Sequence, residues 1–202
     1  MQGIAVAWCL LLLVDCVAAF QASDVWRDAA TSGLAWGQVE VTPYDSIGYF
    51  YLPVQVAAFL VGCRWLYRSR RLADVLSPSS RHTHRPSRVW LAWAFPVINL
   101  WFPYQVVRDI RRATVGPAAT TAPVQLWWLL WLVWIAVDVA AYLVLDAVTP
   151  AIGPDATLVT AVRWFVTGST VLGVACGAVW LRLIDEITSA QRARLTTSGE
   201  VS

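Results

Sequence analysis

Charged residues are scarce in this sequence, and lysine is absent. Of the 202 residues 14% are charged, and all fifteen basic residues are arginines, whereas soluble domains are about 25% charged. The sequence also lacks the C-x-x-C, G-x-S-x-G and H-E-x-x-H motifs, which mark common redox, hydrolytic and zinc-dependent sites. These absences argue against a soluble domain and against the familiar classes of enzyme.

Potential metal ligands are few and do not have the spacing of a site. The four cysteines fall within or at the edges of apolar runs, and His82 and His84 form an H-x-H in a polar loop with no further ligand beside them. We interpret the cysteines as small apolar residues in helices and expect neither a metal nor another cofactor. Because no basic helix coincides with a nucleic-acid-binding motif, we also expect no nucleic acid partner.

Apolar residues make up 58% of the chain and include thirteen tryptophans, and the mean hydropathy is +0.56. They form four runs close to the ~20 residues that cross a bilayer as a helix. We therefore predict an all-α integral membrane fold, a single four-span domain over residues 1–187, followed by a disordered tail over 188–202. The predicted spans are residues 4–20, 47–66, 124–146 and 158–183.

The first apolar run has a second interpretation, a cleaved signal peptide. Against cleavage, no basic region precedes Ile4, Asp15 interrupts the run, and residues 17–19 make a weak cleavage site. We expect an uncleaved first span, and both interpretations remain open at this point.

Residues 89–112 form an aromatic, apolar segment that is flanked by arginines and interrupted by Pro96, Asn99 and Pro103. Each proline removes a backbone donor, and unsatisfied backbone at membrane depth is tolerated only inside protein or beside water. We therefore predict a re-entrant or interfacial segment of two helices separated by a break, in which Asn99 bonds the freed backbone groups. The second helix should begin near Pro103 and be amphipathic, and Trp101 should anchor it at the membrane surface.

The arginines predict the topology, because cytoplasmic loops carry the excess of basic residues. If the first residues are cytoplasmic and the central segment returns to its own side, thirteen arginines are cytoplasmic, and only Arg27 and Arg163 are not. If the segment crossed the membrane, the split would be seven against eight. We therefore predict a cell-membrane protein with both termini cytoplasmic. Six of the cytoplasmic arginines form a basic rim that suits anionic lipid headgroups, although topology alone also accounts for them: Arg68, Arg70, Arg71, Arg108, Arg111 and Arg112.

Three ionisable residues lie inside the predicted spans, where charges are costly. Asp15, Asp138 and Arg163 have depths that differ by only ~5 Å at ~1.5 Å per residue, so we predict a charge cluster. An ion pair that orients helices is favoured over a proton or ion path, and outward snorkelling of Arg163 is a further alternative.

Small residues recur every fourth position on the last span, at Ser169, Gly173 and Gly177. Such a face lets two helix backbones approach closely. It indicates either a homo-oligomer contact or packing against another span of the same chain, and we favour the second.

Three blocks of sequence resemble a known family. They are W-L-Y-R-S-R-R at residues 65–71, F-P-V-I-N-L-W-F-P-Y-Q-V-V-R-D-I at 95–110 and W-W-L-L-W at 127–131. In order and spacing they are similar to the domain of unknown function 4328 family of bacterial multi-pass membrane proteins. The resemblance implies a multi-pass membrane fold and leaves the activity open.

The sequence supports three hypotheses of function. The first is a non-catalytic scaffold or regulator with a basic cytoplasmic face for lipids or unknown protein partners. The second is a small transporter or channel-like protein that uses the three intramembrane charges. The third, a lipid-modifying enzyme, has no catalytic residues to support it.

Overall fold

The described part of the computed structural model is helical and comprises residues 1–77, 100–116, 118–152 and 156–199. Over these ranges no strand occurs, and four helices are long and apolar enough to cross a membrane. The all-α architecture with four candidate spans is therefore as predicted. The helices are α1 (Gln2–Thr31), α2 (Pro43–Leu76), α3 (Phe102–Val115), α4 (Ala122–Ile152) and α5 (Ala156–Gly199), with one 3-10 turn at Trp36–Gln38.

The chain divides into two compact units. The basic unit comprises residues 1–5, 57–129 and 178–202, and the acidic unit comprises residues 6–56 and 130–177. Thirteen of the fifteen arginines and five acidic residues belong to the basic unit, and two arginines and eight acidic residues belong to the acidic unit. The small net charge of the chain therefore conceals two units of opposite charge.

Helix α1 is longer than the predicted first span, and the polar loop expected from residue 21 begins only after Thr31. Ala22, Trp26 and Ala29 recur at helical spacing and are buried, so an apolar stripe continues beneath the charged residues. Gly33, two residues beyond the end of the helix, has a φ of 65°, which suits glycine. Its N–H donates to the Ala30 carbonyl, and the next N–H reaches the Ala29 carbonyl, as in a Schellman motif.

Helix α2 begins with one half of a capping box, in which the Asp45 carboxylate accepts from Thr42. The Thr42 backbone N–H and hydroxyl donate to Asp45 Oδ2 at 2.7 and 2.8 Å, and Pro43 occupies the first helical position, where no donor is lost. The helix then continues through the basic stretch after Leu66 and ends at Leu76. Arg68, Arg70 and Arg71, which follow the predicted end of the second span at residue 66, are therefore helical.

The disordered tail predicted from residue 188 is wrong as far as Gly199, where α5 ends. Its buried stripe of Leu183, Ile184 and Ile187 continues to Gln191, whose Nε2 donates to the Ser69 carbonyl at 3.0 Å. The sequence pattern did not reveal this stripe, because Gln191 occupies a position of it where an apolar residue is expected.

Helix α3 confirms the predicted amphipathic helix near Pro103, with its apolar residues on one face. That face is not available to lipid as we predicted, because Val106, Val107 and Ile110 are buried inside the basic unit. Arg111, expected on the polar face, is also buried. Its Nε and Nη2 donate to Glu186 of α5 at 2.8 and 2.7 Å, and its Nη1 donates to the Thr120 carbonyl. This two-pronged contact joins α3 to α5.

In the acidic unit, the small residues of α5 pack within the chain. A Cβ at Gly173 would lie 2.6 Å from Leu12 Cδ1 and 3.2 Å from Trp134 Nε1, and one at Gly177 would lie 2.5 Å from Cys9 Sγ. The hydroxyl of Thr170 donates to the Leu12 carbonyl at 3.3 Å. Helix α1 therefore fills this face, as in the alternative that we favoured over a homo-oligomer contact.

Replacing Gly173 with alanine should destabilise the protein, because the new methyl group overlaps Leu12 and crowds Trp134. Overpacking of this kind costs about 1–3 kcal/mol, which thermal unfolding in detergent micelles would measure. Gly168→Ala is the matched control on the same helix, since nothing lies within 4 Å of its Cβ position. An equal effect of the two substitutions would contradict close packing at Gly173.

Replacing Arg111 with glutamine should lower the free energy of unfolding by about 2 kcal/mol, since Glu186 loses a largely buried partner. Arg111→Lys should recover little of this loss, because an ammonium group cannot donate in a planar fork. The control is Arg112→Gln at the neighbouring exposed position, with an expected change within about 0.5 kcal/mol. Denaturant titration would measure all three, and a wild-type value for Arg111→Lys would contradict the fork.

Candidate functional site

The acidic unit contains a cavity of about 520 Å³ that is lined by residues of α1, α2, α4 and α5. Two of the predicted intramembrane charges, Asp15 of α1 and Asp138 of α4, line it together, and Asp45 of α2 lies at it as well. The sequence had placed Asp15 and Asp138 at similar depth, and the structure brings them to one cavity.

A chain of hydrogen bonds fixes the Asp138 carboxylate. Trp134 Nε1 donates to Ser169 Oγ at 2.9 Å, and the Ser169 hydroxyl donates to Asp138 Oδ1. Trp134 and Asp138 are one turn apart on α4, and Ser169 belongs to α5. The chain therefore ties two helices together and orients one carboxylate oxygen, while Asp138 remains exposed at the cavity.

The Asp15 carboxylate shares the cavity with Tyr51 of α2. Tyr51 in turn meets Trp8 edge-on, with ring centroids 5.8 Å apart, and Trp8 meets Trp134 edge-on at 6.0 Å. Three aromatic rings from three helices thus connect the surroundings of the two carboxylates. The wall of the cavity that they form is apolar, with hydroxyl and carboxylate groups at its margins.

Arg163 does not join the two acids as we predicted. Its Nη2 donates to the Phe20 carbonyl and to Asp24 Oδ1, both at 3.1 Å, and its guanidinium lies 4.5 Å from the centroid of the Phe20 ring. The predicted partner Asp138 is bonded to Ser169 instead. The physical reason is the extra length of α1, which carries Asp24 to a position beside α5.

Sequence reasoning missed several residues of the cavity, although a signal was present. Tyr44, Gly48, Tyr51 and Gln55 all line it, and they recur on α2 at the spacing of one helix face. On α4, Trp134, Asp138 and Tyr142 recur at the same helical spacing and line the cavity as well. The stripe on α2 was overlooked because tyrosines near the end of a span are usually interfacial.

The arginines of the predicted rim have different environments in the basic unit. Arg70 and Arg111 are both buried. Arg70 pairs with Asp74 of its own helix, and Arg111 pairs with Glu186 of α5. Arg108 pairs with Asp109 at 2.9 Å and lies over the Tyr104 ring, and Arg112 is exposed.

Arg68 and Arg71 join Arg64 and Tyr67 around a second cavity of about 480 Å³ on α2. The three arginines are exposed, and we call this group the arginine surface. A basic surface therefore exists, but it is narrower than the rim predicted from the sequence.

Two residues of the predicted re-entrant segment, Pro96 and Asn99, lie outside the described residues. Of the other two, Trp101 is at the N-cap of α3 and is 53% exposed, and Pro103 is buried in the first turn. The helix start at Pro103 is therefore as expected, while the break that Asn99 should stabilise stays a prediction.

Comparison with known proteins gave one match. The model of the family described as "Domain of unknown function (DUF4328)" matches residues 38–189. The matched range contains the arginine surface and Tyr51, Asp138 and Ser169 of the acidic cavity, and it excludes α1 with Asp15. Neither a curated protein nor a solved structure matches the chain.

Proposed function

Because the chain belongs to the DUF4328 family, whose description names no activity, we propose its function from the chemistry of its described residues. The chain is a non-catalytic component of the cell membrane, a scaffold or regulator. Its basic unit lies at the cytoplasmic face and holds anionic lipid headgroups on the arginine surface. The arginine surface is the observation that supports this proposal.

The spacing of the arginine surface suits a phosphate-bearing headgroup. Arg64, Arg68 and Arg71 are one turn apart on α2, with Tyr67 between them, so their guanidinium groups converge on one cavity. The Arg71 guanidinium lies 6.0 Å from the centroid of the Tyr67 ring, which limits its freedom. Arginine binds phosphate in a planar fork, and the apolar body of the ring suits an acyl chain.

The distribution of charge supports the cytoplasmic position of the basic unit. This unit includes residues 1–5 and 178–202 as well as thirteen arginines. Under the positive-inside rule, both ends of the sequence and the arginine surface then lie in the cytoplasm, and the loop before α2 lies outside.

Labelling of single cysteines in intact cells would test this topology, in a variant without the four native cysteines. A membrane-impermeant maleimide should label Val41→Cys from outside, and it should label Ala118→Cys only after permeabilisation. Both positions are exposed in the structure. A difference in labelling therefore reports the side of the membrane and not burial within the protein. Labelling of Ala118→Cys in intact cells would contradict the proposed topology.

Replacing Arg68 and Arg71 with glutamine should weaken binding of phosphatidylglycerol relative to phosphatidylcholine. Each arginine near an anionic membrane contributes ~1 kcal/mol, so the expected loss is about 30-fold. Native mass spectrometry or titration in nanodiscs of stated composition would measure the change.

The matched control replaces Arg182 and Arg192, which are exposed in the same unit. It removes the same charge, and its expected loss is smaller because these residues do not line the cavity. An equal loss in both variants would mean general attraction to the membrane and would contradict a headgroup site.

A second candidate function, a small transporter or channel-like protein, is favoured by the cavity that Asp15 and Asp138 share. Arg163 has no part in it, because its contacts are with Phe20 and Asp24. If Asp138→Asn abolishes transport flux while the protein still assembles, the result would support this candidate. Unchanged flux would exclude Asp138 from a transport path.

A further inference from the structure

We propose that the cavity of the acidic unit binds a small organic cation, a quaternary ammonium or a protonated amine. The proposal concerns binding alone and does not depend on the arginine surface. It rests on three features of the cavity: carboxylates without a basic neighbour in its lining, the fixed position of a carboxylate, and aromatic rings from several helices around a volume suited to a small molecule.

The first feature is uncompensated negative charge. Asp15, Asp138 and Asp45 line the cavity, and no arginine or histidine is among its described lining residues. The one arginine of the described acidic unit that lies within a predicted span, Arg163, is engaged by Asp24. A carboxylate inside an apolar span is costly without a counter-charge. No such counter-charge is present among the described lining residues, and this is the role that we assign to a bound cation.

The second feature is the position of the carboxylates. The Ser169 hydroxyl holds one oxygen of Asp138, and Asp15 lines the same cavity. The donor comes from α5, so the Asp138 carboxylate is oriented by a helix other than its own. Preorganised charges of this kind bind a ligand without the cost of ordering flexible side chains.

The third feature is the aromatic lining. Trp8, Tyr51 and Trp134 meet edge-on, and all three line the cavity. Aromatic faces attract ammonium groups, and cages of such rings are a known means of recognising quaternary ammonium. The volume of about 520 Å³ falls within the ~300–1,000 Å³ of ligand sites.

The same lining argues against an inorganic cation. Calcium takes about six to eight oxygen ligands, and magnesium requires an octahedron of oxygens. The cavity offers a few carboxylate and hydroxyl oxygens spread over four helices, and most of its remaining lining is aromatic or aliphatic. An organic cation uses both kinds of group, since its charge meets a carboxylate and its hydrocarbon meets the rings.

Choline is the probe, and 3,3-dimethylbutan-1-ol is its neutral isostere. The two have the same shape and differ in charge, so the pair isolates the charge contribution on the unmodified protein. Thermal shift and titration calorimetry in detergent should show saturable stabilisation by choline and at least about tenfold weaker binding of the isostere. Equal binding of both, or no binding of choline, would overturn the proposal.

Variants then test the location. Asp138→Asn and Asp15→Asn should each weaken choline binding about tenfold or more, while Asp28→Asn should leave it unchanged. Asp28 is an exposed acid on α1 that does not line the cavity, so it controls for net charge. Gel filtration and the melting temperature without ligand establish that each variant folds, and either of the two carboxylate variants suffices for the test.

Sodium and potassium at the same concentrations separate the ligand classes. They should neither stabilise the protein through Asp138 nor displace choline beyond the effect of ionic strength. Stabilisation by sodium that disappears in Asp138→Asn would assign the cavity to an inorganic cation and overturn the proposal. Choline binding that survives in both carboxylate variants would place the site elsewhere and would overturn it as well.

Discussion

An arginine buried in an apolar helical unit requires an acidic partner, and in the basic unit this requirement determines which helices are joined. There Arg111 of α3 is buried and binds Glu186 of α5 with two hydrogen bonds. Breaking this pair would leave a buried charge without its partner. In the acidic unit Arg163 of α5 is only partly buried and binds Asp24 of α1, which is exposed, so this contact contributes less. The partner in both cases comes from another helix, so both ion pairs connect neighbouring helices.

The sequence predicts those features that follow from periodicity and composition. The four apolar runs lie in four long helices, α3 begins one residue before Pro103, and Trp134 and Asp138, one turn apart on α4, line one cavity. The sequence does not predict the partner of Arg163, because the length of α1 decides it. Asp24 lies beyond the predicted first span, which ends at residue 20, and the buried stripe through Trp26 carries the helix that far.

The other differences have the same cause, which is polar residues that lie on buried faces. Gln191 continues the stripe of α5 by donating to the Ser69 carbonyl, and Arg111 lies on the inner face of α3. A hydropathy pattern counts both as solvent-facing. Which polar residue has a partner depends on contacts between helices that are distant in sequence, and local periodicity contains no information about them.

The small-residue face of α5 connects the packing of the acidic unit to its cavity. Ser169 on this face is small enough for close approach and also carries the hydroxyl that binds Asp138. Gly173 lies one turn later, and a Cβ atom there would overlap Leu12 and crowd Trp134. Both of those residues line the cavity. A side chain at Gly173 would therefore displace Trp134 and, through its bond to Ser169, the Asp138 carboxylate. The close contact that holds α1 against α5 is thus also what positions the carboxylate and the rings at which we place the organic cation.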